Sequence, residues 1–340
     1  MAGLGVALVA AVEPDAVRAA ETAEKYSIPV FSSVDQMLAA DLQVAAASVA
    51  VPTVHHHSVA STLLDAGLDI LVEKPLAASL SEADDLLALA SKNARILQPG
   101  HLERFNPAVL AVQPQLKRPM FFEAHRLSVF TPRALDVDVV LDLMIHDLDI
   151  VLTFANSPVR EVRAVGLPIL SPKVDIANVR VEFESGCVAN FTASRVSTER
   201  VRKLRFFEPR QYVSIDYARQ DLLVIKLDAS ITPEIAAAVA SGKVDAATLA
   251  KIAAGASAGL ASGLGAGPGP GLSFVKPPVT PGEPLRLEIE YFLDSVRTRR
   301  EPRVTALQGR NALALALEIQ SSMVAHAHRA GLEDFFASSV

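Results

Sequence analysis

Residues 44–75 read VAAASVAVPTVHHHSVASTLLDAGLDILVEKP, and the predicted fold class follows from their pattern. Residues 44–51 form an apolar run that ends at Pro52, which predicts a buried strand. A helical pattern covers residues 54–67 and stops at Gly67, and residues 70–73 are again strand-like. A strand, a helix and a strand at this spacing predict one unit of a parallel sheet.

The same alternation extends to both sides of this stretch. The predicted strands cover residues 8–12, 30–31 and 95–98, and the predicted helices cover residues 15–25, a segment from Ser33, and residues 79–92. Ser79 and Glu82 have the spacing of a capping box, which supports the last of these helices. The order predicts an α/β fold with a doubly wound, Rossmann-like parallel sheet.

The pattern changes after Pro107. The candidate strands become short, and several are joined by hairpin-length turns; they cover residues 121–127, 161–166, 179–184, 188–194, 203–207, 212–217 and 222–227. One helix is predicted at residues 139–154, and two more, at 285–298 and 306–328, close the chain. We therefore predict an α+β domain with a large, mainly antiparallel open sheet, and an Ala/Gly-rich insertion at residues 236–271.

Composition and charge exclude several classes of function. The net charge of −6 and the pI near 5.8 argue against a broad nucleic-acid surface. No stretch has the roughly 18 consecutive apolar residues of a membrane span, and the apolar N-terminus lacks the basic segment of a signal peptide. The only cysteine, Cys187, excludes an intramolecular disulfide and favours a reducing, cytoplasmic compartment. We interpret it as a small buried residue rather than a nucleophile.

Three consecutive histidines, His55, His56 and His57, have the composition of a metal site. Consecutive residues on a helix point in different directions, however, and no cysteine or further histidine is spaced to complete the ligand set. The sequence therefore predicts no metal.

Three motifs together resemble the Gfo/Idh/MocA family of oxidoreductases. One is EKP, residues 73–75, at its spacing from Pro52 and His56, and another is the helix LDLMIHDLD, residues 141–149. The third, GHLERFNP at residues 100–107 with SRVS at residues 194–197, is similar to the branch that acts on nucleotide sugars, including UDP-N-acetylglucosamine 3-dehydrogenases. The resemblance covers nearly the whole chain apart from the insertion.

This resemblance implies hydride transfer between a sugar secondary alcohol and a nicotinamide. It also implies two domains, a dinucleotide-binding domain at residues 1–106 and a substrate and oligomerisation domain at residues 107–340. Family members associate through the open face of the antiparallel sheet, which implies a homodimer or homotetramer. No nucleic acid or membrane partner is expected.

The resemblance assigns the catalytic roles to Lys74, Asp142 and His146. Histidine titrates near neutrality, so His146 can accept the hydroxyl proton, and the Lys74 ammonium can donate to the substrate oxygen. Asp142 is four residues from His146, on the same helical face, and can contact the same sugar. The alternatives are a surface lysine before a proline and a core histidine with satisfied hydrogen bonds.

Further residues are expected to contact the cofactor or the substrate. Glu13 follows a predicted strand, where an acid accepts hydrogen bonds from the adenosine ribose and favours NAD over NADP; the alternative is an acid that only begins a helix. The other expected cofactor residues are Pro52, Thr53, His56, Glu73 and Lys74. The expected substrate contacts, which are alternatively structural ties, are His101, Arg104, Asn106 and Arg195.

One departure from the family pattern concerns the N-terminus. The first strand and the Gly-x-Gly-x-x-Gly turn should precede Glu13 by about 20 residues, whereas only twelve residues precede it here. We therefore expect the dinucleotide domain to lack its first strand and glycine loop, with two open sheet edges as a result. A truncated chain with a misplaced start codon is the simplest hypothesis, and the DNA upstream of Met1 tests it.

Two other functions stay open on the sequence alone. The same fold serves an inositol or free-sugar dehydrogenase, and it could also serve a non-catalytic sugar or dinucleotide sensor. A sensor need not keep Lys74, Asp142 and His146 together. Their joint presence therefore favours an enzyme.

Overall fold

The computed structural model describes residues 5–131, 137–227, 272–332 and 334. The predicted Ala/Gly-rich insertion at residues 236–271 lies outside this part of the chain. The chain divides into two compact units, Met1–Leu102 with Pro284–Leu315 and Glu103–Glu283 with Ala316–Val340. The helix predicted at residues 285–298 thus groups with the first unit, although the sequence placed it in the second domain. The functional division at residue 106 stays a prediction.

Short strands and helices alternate in the first unit, as the sequence predicted. They are β1 (Ala11–Val12), α1 (Ala16–Tyr26), β2 (Val30–Phe31), α2 (Val34–Ala39), β3 (Ala46–Val49), α3 (His56–Asp65), β4 (Asp69–Glu73), α4 (Leu80–Lys92) and β5 (Leu97–Gly100). Polar side chains begin three of the helices. Asp15 accepts hydrogen bonds from the backbone N–H groups of Val17 and Arg18, and Ser33 and Ser79 cap α2 and α4 in the same way.

The parallel strands of the first unit form two separate sheets. β1 pairs with β2, and β3, β4 and β5 pair with one another in that order. A doubly wound sheet has one more strand between these two groups, and residues 5–131 contain no such strand. The Rossmann-like fold is confirmed, and its break lies where the sequence predicted that the first strand is missing.

This break leaves apolar side chains near β1 exposed. None of residues 5–36 is buried, and Leu8, Val9 and Val12 are 36%, 37% and 38% exposed. Ile70 and Val72 of β4, by contrast, are fully buried. Strands of a parallel sheet are normally covered on both faces and paired on both edges, so β1 lacks the surroundings that its composition predicts.

Helix α7 (Pro284–Thr298) covers one face of the three-stranded sheet. Its Phe292 is buried against Leu71 of β4 and Ile96, which directly precedes β5, and Ile289 and Leu293 pack alongside. Parallel strands need such a cover because both of their faces are apolar. The contacts explain why this distant segment groups with the first unit.

The second unit is built on one large sheet. Its elements are α5 (Pro107–Val112), β6 (Phe121–Leu127), α6 (Ile145–Ala155), β7 (Val159–Leu167), β8 (Ile176–Phe183), β9 (Val188–Ser194), β10 (Val201–Glu208), β11 (Gln211–Asp216), β12 (Asp221–Leu227), β13 (Leu272–Val275) and most of α8 (Ala306–Ala330). The eight described strands lie in the order β13-β12-β11-β10-β6-β9-β8-β7. Only β6 and β9 are parallel neighbours, which confirms a mainly antiparallel sheet.

The two faces of this sheet differ. On one face Phe122 and Leu204 are fully buried, and Phe206 meets Phe154 of α6 edge-on, with ring centroids 6.0 Å apart. Ser322 of α8 accepts a hydrogen bond from the Ala164 backbone on the same sheet. Alternate residues point to the opposite face, on which Phe121, Glu123 and Phe207 are only half-buried. No helix in the described part of the chain is long and apolar enough to cross a membrane.

Candidate functional site

The carboxyl ends of β3, β4 and β5 carry the polar residues of the first unit. Lys74 directly follows β4 and is half-buried, between the buried Val72 and Pro75. Gly100 ends β5, and a Cβ atom there would lie 3.2 Å from both Glu73 Cα and Glu73 Oε2. The carboxyl edge of a parallel sheet is where ligands bind in this architecture. The local geometry therefore agrees with the position that the sequence gave Lys74 and Glu73.

His56 joins the segments that follow β3 and β4. Its Nδ1 lies 2.8 Å from the Pro75 carbonyl oxygen, and its Nε2 lies 2.9 Å from the Val51 carbonyl oxygen. Because the ring is buried and both nitrogens face backbone carbonyls, His56 holds together the segments that follow β3 and β4.

The described residues contain no group of three His, Cys, Asp or Glu side chains suited to a metal.

Glu13 directly follows β1, as the sequence predicted. Its Oε1 accepts a hydrogen bond of 2.9 Å from the Asp15 backbone N–H, and its Oε2 lies 3.9 Å from Arg18 Nε. The carboxylate thus supports the start of α1, which is one of the two roles the sequence left open. Each carboxylate oxygen has a second lone pair that can accept from a ribose hydroxyl, so the other role stays a prediction.

These residues fit the two ends of an NAD molecule, the adenosine ribose at Glu13 and the nicotinamide at Lys74. The Glu13 carboxylate and the Lys74 ammonium supply an acceptor and a donor at the ends of β1 and β4. The pyrophosphate of a dinucleotide rests on the backbone amides of a glycine-rich turn at a helix N-terminus. Residues 5–131 contain no such turn, so the described chain fits the ribose and nicotinamide better than the pyrophosphate.

A cavity of about 580 Å³ lies within the first unit, at the opposite end of its strands. Residues 94–97, before and at the start of β5, and residues 299–302 contribute to its wall, which includes Arg95, Arg299 and Arg300. Arg299 donates to the buried Asp69 carboxylate at 2.6 Å. Because Lys74 and Glu73 lie at the other end of β4, we do not assign this cavity to the cofactor.

The second unit presents Asp142 and His146 on one helical segment. Residues Val140–Met144 form a π-helical turn, in which the Ile145 N–H bonds to the Val140 carbonyl, and α6 continues directly from it. Asp142 lies in the wide turn and His146 in the first turn of α6, and both side chains are half-buried. The sequence predicted a regular α-helix here, so the π turn was not expected. Such turns are rare in proteins as a whole, but many of those that occur lie at functional sites.

Asp138 fixes the beginning of this segment. Its Oδ1 accepts hydrogen bonds of 3.0 Å from the backbone N–H groups of Val140 and Leu141. Its Oδ2 accepts a 2.7 Å hydrogen bond from Gln320 of α8. Such a cap satisfies amides that have no partner within the helix. The segment before Asp142 is therefore held in place.

A buried ionic cluster holds α6 just after His146. Arg126 of β6 donates to both carboxylate oxygens of Asp147, at 2.7 and 3.0 Å, and to Glu103 Oε1 at 3.0 Å. Asn106 donates to Glu103 Oε2 at 3.2 Å, and the Arg126 guanidinium lies 5.2 Å from the ring centroid of Tyr217. All five side chains are buried. We call them the Arg126 cluster.

The electrostatics of the Arg126 cluster follow from its burial. Burial raises the pKa of Asp147 above its ordinary value, although Arg126 acts in the opposite direction. Burial and the nearby Asp147 raise the pKa of Tyr217 well above its ordinary value. Burial lowers the pKa of Arg126, but the two carboxylates outweigh this and raise it. The guanidinium is therefore always charged, and it faces two carboxylates.

Arg104 and Asn106, two of the four predicted substrate contacts, lie in buried structural networks. Arg104 pairs with Asp149 at 3.3 Å and also donates to Thr153 on the next turn of α6. Asn106 caps α5 through the Ala108 backbone N–H, besides its bond to Glu103. These contacts favour the structural role that the sequence left as the alternative.

Arg195 and His101 are the other two predicted substrate contacts. Arg195 donates to the Val137 carbonyl at 2.7 Å, and its Nε lies 3.7 Å from Asp175, so it too lies in a structural network. His101 belongs to the first unit, where it is buried and its Nε2 lies 3.8 Å from the position of a Cβ atom added at Gly309. A substrate contact by any of the four stays a prediction.

Sequence reasoning missed Arg126, Glu103 and Asp175. Asp175 Oδ2 accepts three backbone hydrogen bonds, from Ile169, Leu170 and Ser171. Each of these charged residues is buried. Only Arg126 lies in a predicted strand, where a charged residue on the same inward face as the buried Ala124 is a signal of a buried ionic network. Cys187 is buried, and burial raises the pKa of its thiol to about 11, as expected for an inert cysteine.

Comparison with known proteins agrees with this architecture. Residues 2–101 match the model of the "Oxidoreductase family, NAD-binding Rossmann fold", and residues 109–210 match the "GFO/IDH/MocA C-terminal domain". The two matches divide the chain close to the boundary between the two compact units.

Individual relatives belong to the same group. The chain is 33% identical to UDP-N-acetylglucosamine 3-dehydrogenase of Acidithiobacillus ferrooxidans, over 93% of this chain and 90% of that protein. It is 26% identical to scyllo-inositol 2-dehydrogenase (NAD(+)) of Bacillus subtilis, over 57% of this chain and 61% of that protein. A crystal structure of the Acidithiobacillus enzyme superposes with a TM-score of 0.76, covering 92% of this chain and 88% of that chain. The chain therefore belongs to the Gfo/Idh/MocA family of NAD-binding oxidoreductases.

Proposed function

We propose that this protein is an NAD-dependent dehydrogenase that oxidises a secondary hydroxyl of a nucleotide sugar, with UDP-N-acetylglucosamine and its 3-hydroxyl as the leading candidate. The observation that carries the proposal is the 33% identity, over 93% of the chain, to an enzyme of that name. An alignment of that length spans both compact units.

Three side chains supply the polar chemistry in this proposal. His146 accepts the proton of the sugar hydroxyl, and Lys74 supplies a hydrogen-bond donor that stabilises developing negative charge on a substrate oxygen. Asp142 accepts hydrogen bonds from the sugar beside His146. NAD, when bound, takes the hydride from the same carbon. Within its own unit each side chain is half-buried on a fixed element, which suits groups that must be both oriented and accessible.

A turnover assay tests the substrate class. The protein is incubated with NAD and either UDP-N-acetylglucosamine or myo-inositol, and NADH formation is followed by absorbance. We expect NADH only with the nucleotide sugar. Turnover of inositol alone would favour the polyol dehydrogenases, which the 26% identity to the Bacillus enzyme keeps as the second candidate.

The alternative is a non-catalytic sensor, that is, a binding protein rather than an enzyme. The observation in its favour is the absence of a glycine-rich turn from residues 5–131. A sensor would bind the sugar or the nucleotide but form no NADH at any substrate concentration. Isothermal titration with both ligands, beside the turnover assay, distinguishes the two.

Glu13→Gln tests the proposed ribose contact. A hydrogen bond to a charged group contributes about 1.5–3 kcal/mol, so we expect NADH affinity to fall roughly 10-fold or more. Affinity for NADPH should fall less, because a 2′-phosphate gains from the loss of a negative charge. NADH and NADPH fluorescence titrations measure both. Glu21→Gln, at an exposed position on α1, is the matched control; equal small effects of both variants would leave Glu13 with its helix-start role alone.

We also propose that the protein is a cytoplasmic homo-oligomer that pairs through the open face of its large sheet. On this face Phe121, Phe207 and Tyr212 form an aromatic row, with successive ring centroids 5.4 and 5.2 Å apart. The three rings are only half-buried in a single chain, and aromatic residues are enriched in the centres of protein interfaces.

Phe207→Asp is expected to shift the protein toward the monomer, because it places a charge in this aromatic row. Light scattering coupled to size-exclusion chromatography measures the mass. Tyr26→Asp, at an exposed aromatic position on α1, is the control and should keep the wild-type mass. A wild-type mass for Phe207→Asp would contradict this interface.

A further inference from the structure

The Arg126 cluster carries a function beyond the chemistry just described. Asp147, its partner on α6, directly follows His146, and the two-point contact from Arg126 fixes the rotation of the first turn of that helix. Two parallel hydrogen bonds to one carboxylate tolerate little rotation, since the guanidinium is planar and rigid. The direction of the His146 side chain is thus tied to strand β6.

The wide turn before α6 explains why such a tie is needed. A π turn contains one residue more than an α turn, and this extra residue can move along a helix if nothing fixes it. Moving it past residue 146 would rotate His146 by about 100°, the angle between successive α-helical residues. Asp142, which lies before that point, would not follow.

Fixed points lie on both sides of the wide turn. Asp138 holds the segment on the N-terminal side, through the N–H groups of Val140 and Leu141. Arg126 holds Asp147 on the C-terminal side. Arg104 also holds α6, but at Asp149 and Thr153, farther from the wide turn. The contact of Arg126 with Asp147 lies in the turn that contains His146.

Stability alone does not account for this arrangement. The cluster buries one guanidinium and two carboxyl groups inside the protein. Desolvation of buried charges is costly, and apolar residues of similar volume usually stabilise a fold as well or better. Buried ionic groups can instead specify one arrangement among several of similar energy.

We infer that Arg126 is a positioning residue that holds the π turn at Val140–Met144 and thereby sets the direction of His146 relative to Asp142. The consequence for catalysis rests on the proposed function, whereas the consequence for the helix does not. Misplacement of a catalytic group by about 1 Å can cost roughly 100-fold in rate. A rotation about the helix axis would displace His146 by more than that.

The decisive experiment removes the charges without leaving any of them unpaired. The triple variant Glu103→Gln, Arg126→Met, Asp147→Leu keeps an amide for Asn106 and replaces the ion pair by apolar side chains. We expect its melting temperature to lie near that of the wild type. We expect kcat to fall about 100-fold with little change in KM, and we expect hydrogen–deuterium exchange over residues 139–147 to become faster. Arg163→Met, which removes an exposed ion pair with Glu161, is the control and should change none of these.

Each outcome decides the inference. Wild-type kcat and wild-type exchange in a folded triple variant would overturn it, because the cluster would then be replaceable packing. If the triple variant does not fold, Arg126→Lys replaces it, since lysine keeps the charge but not the two-point contact; the same loss of kcat and faster exchange are expected. If the wild-type protein shows no turnover, the proposed function fails, and the exchange rates alone still support or overturn the positioning role.

Discussion

His146→Ala is expected to abolish nearly all turnover. General-base catalysis contributes about 100- to 10,000-fold to rate, so kcat for NADH formation should fall by that factor. KM for the sugar should change little, because the proposed role is realised only in the transition state. Steady-state kinetics with UDP-N-acetylglucosamine, if the wild type accepts it, measure both parameters.

A control variant shows whether the effect is specific to His146 or follows from removing any histidine. His328→Ala removes an exposed histidine from the last turn of α8 and should leave kcat unchanged. Sugar binding by His146→Ala, measured by calorimetry, should persist. Retention of more than a tenth of wild-type kcat would remove His146 from the role of base.

Local sequence patterns were sufficient to predict the strands and helices of residues 5–100. Strand and helix signals are read within short windows, and the ends of β4 and α4 follow from such signals at Glu73, Lys74 and Ser79. A break between β1 and β3 was also expected, because the family's first strand and glycine-rich turn are not found in residues 5–12 before Glu13. The structure reproduces this break as two separate sheets.

The site in the second unit was only half predictable. Asp142 and His146 were chosen as candidate site residues because their spacing is local and belongs to a known pattern. The π turn that contains Asp142 was not predicted; Asp138 on its N-terminal side contacts α8, and Asp147 on its C-terminal side contacts β6. Such contacts join residues far apart in the chain, and the hydrophobic periodicity of the sequence carries no information about them.

The same limit explains the four predicted substrate residues. A polar motif predicts that its side chains matter, but not whether they face a ligand or one another. Arg104, Asn106 and Arg195 are buried among protein partners in the structure. Their charges and amides would be costly to bury unpaired, so their pattern in the sequence also fits a structural network that supports α6 and the strand ends around it.

Lys74→Met is the second variant for which we expect a large loss of activity. Methionine has a similar length and fills the half-buried space after β4, but it cannot donate to an alkoxide. Removal of one such donor typically costs about 100- to 1,000-fold in kcat. Because Lys74 is also expected beside the cofactor, NADH affinity must be measured separately by fluorescence titration, and we expect it to change much less than kcat.

Two comparisons make the Lys74 result interpretable. Lys92→Met, at an exposed position in the last turn of α4, removes the same charge from the same unit and should keep wild-type kinetics. Lys74→Arg keeps a donor but moves it, so an intermediate kcat would indicate that position matters as well as charge. If Lys74→Met lowered NADH affinity and kcat/KM equally while kcat at saturation stayed unchanged, Lys74 would be a cofactor contact only, and the stabilisation of the substrate oxygen would have to come from another group.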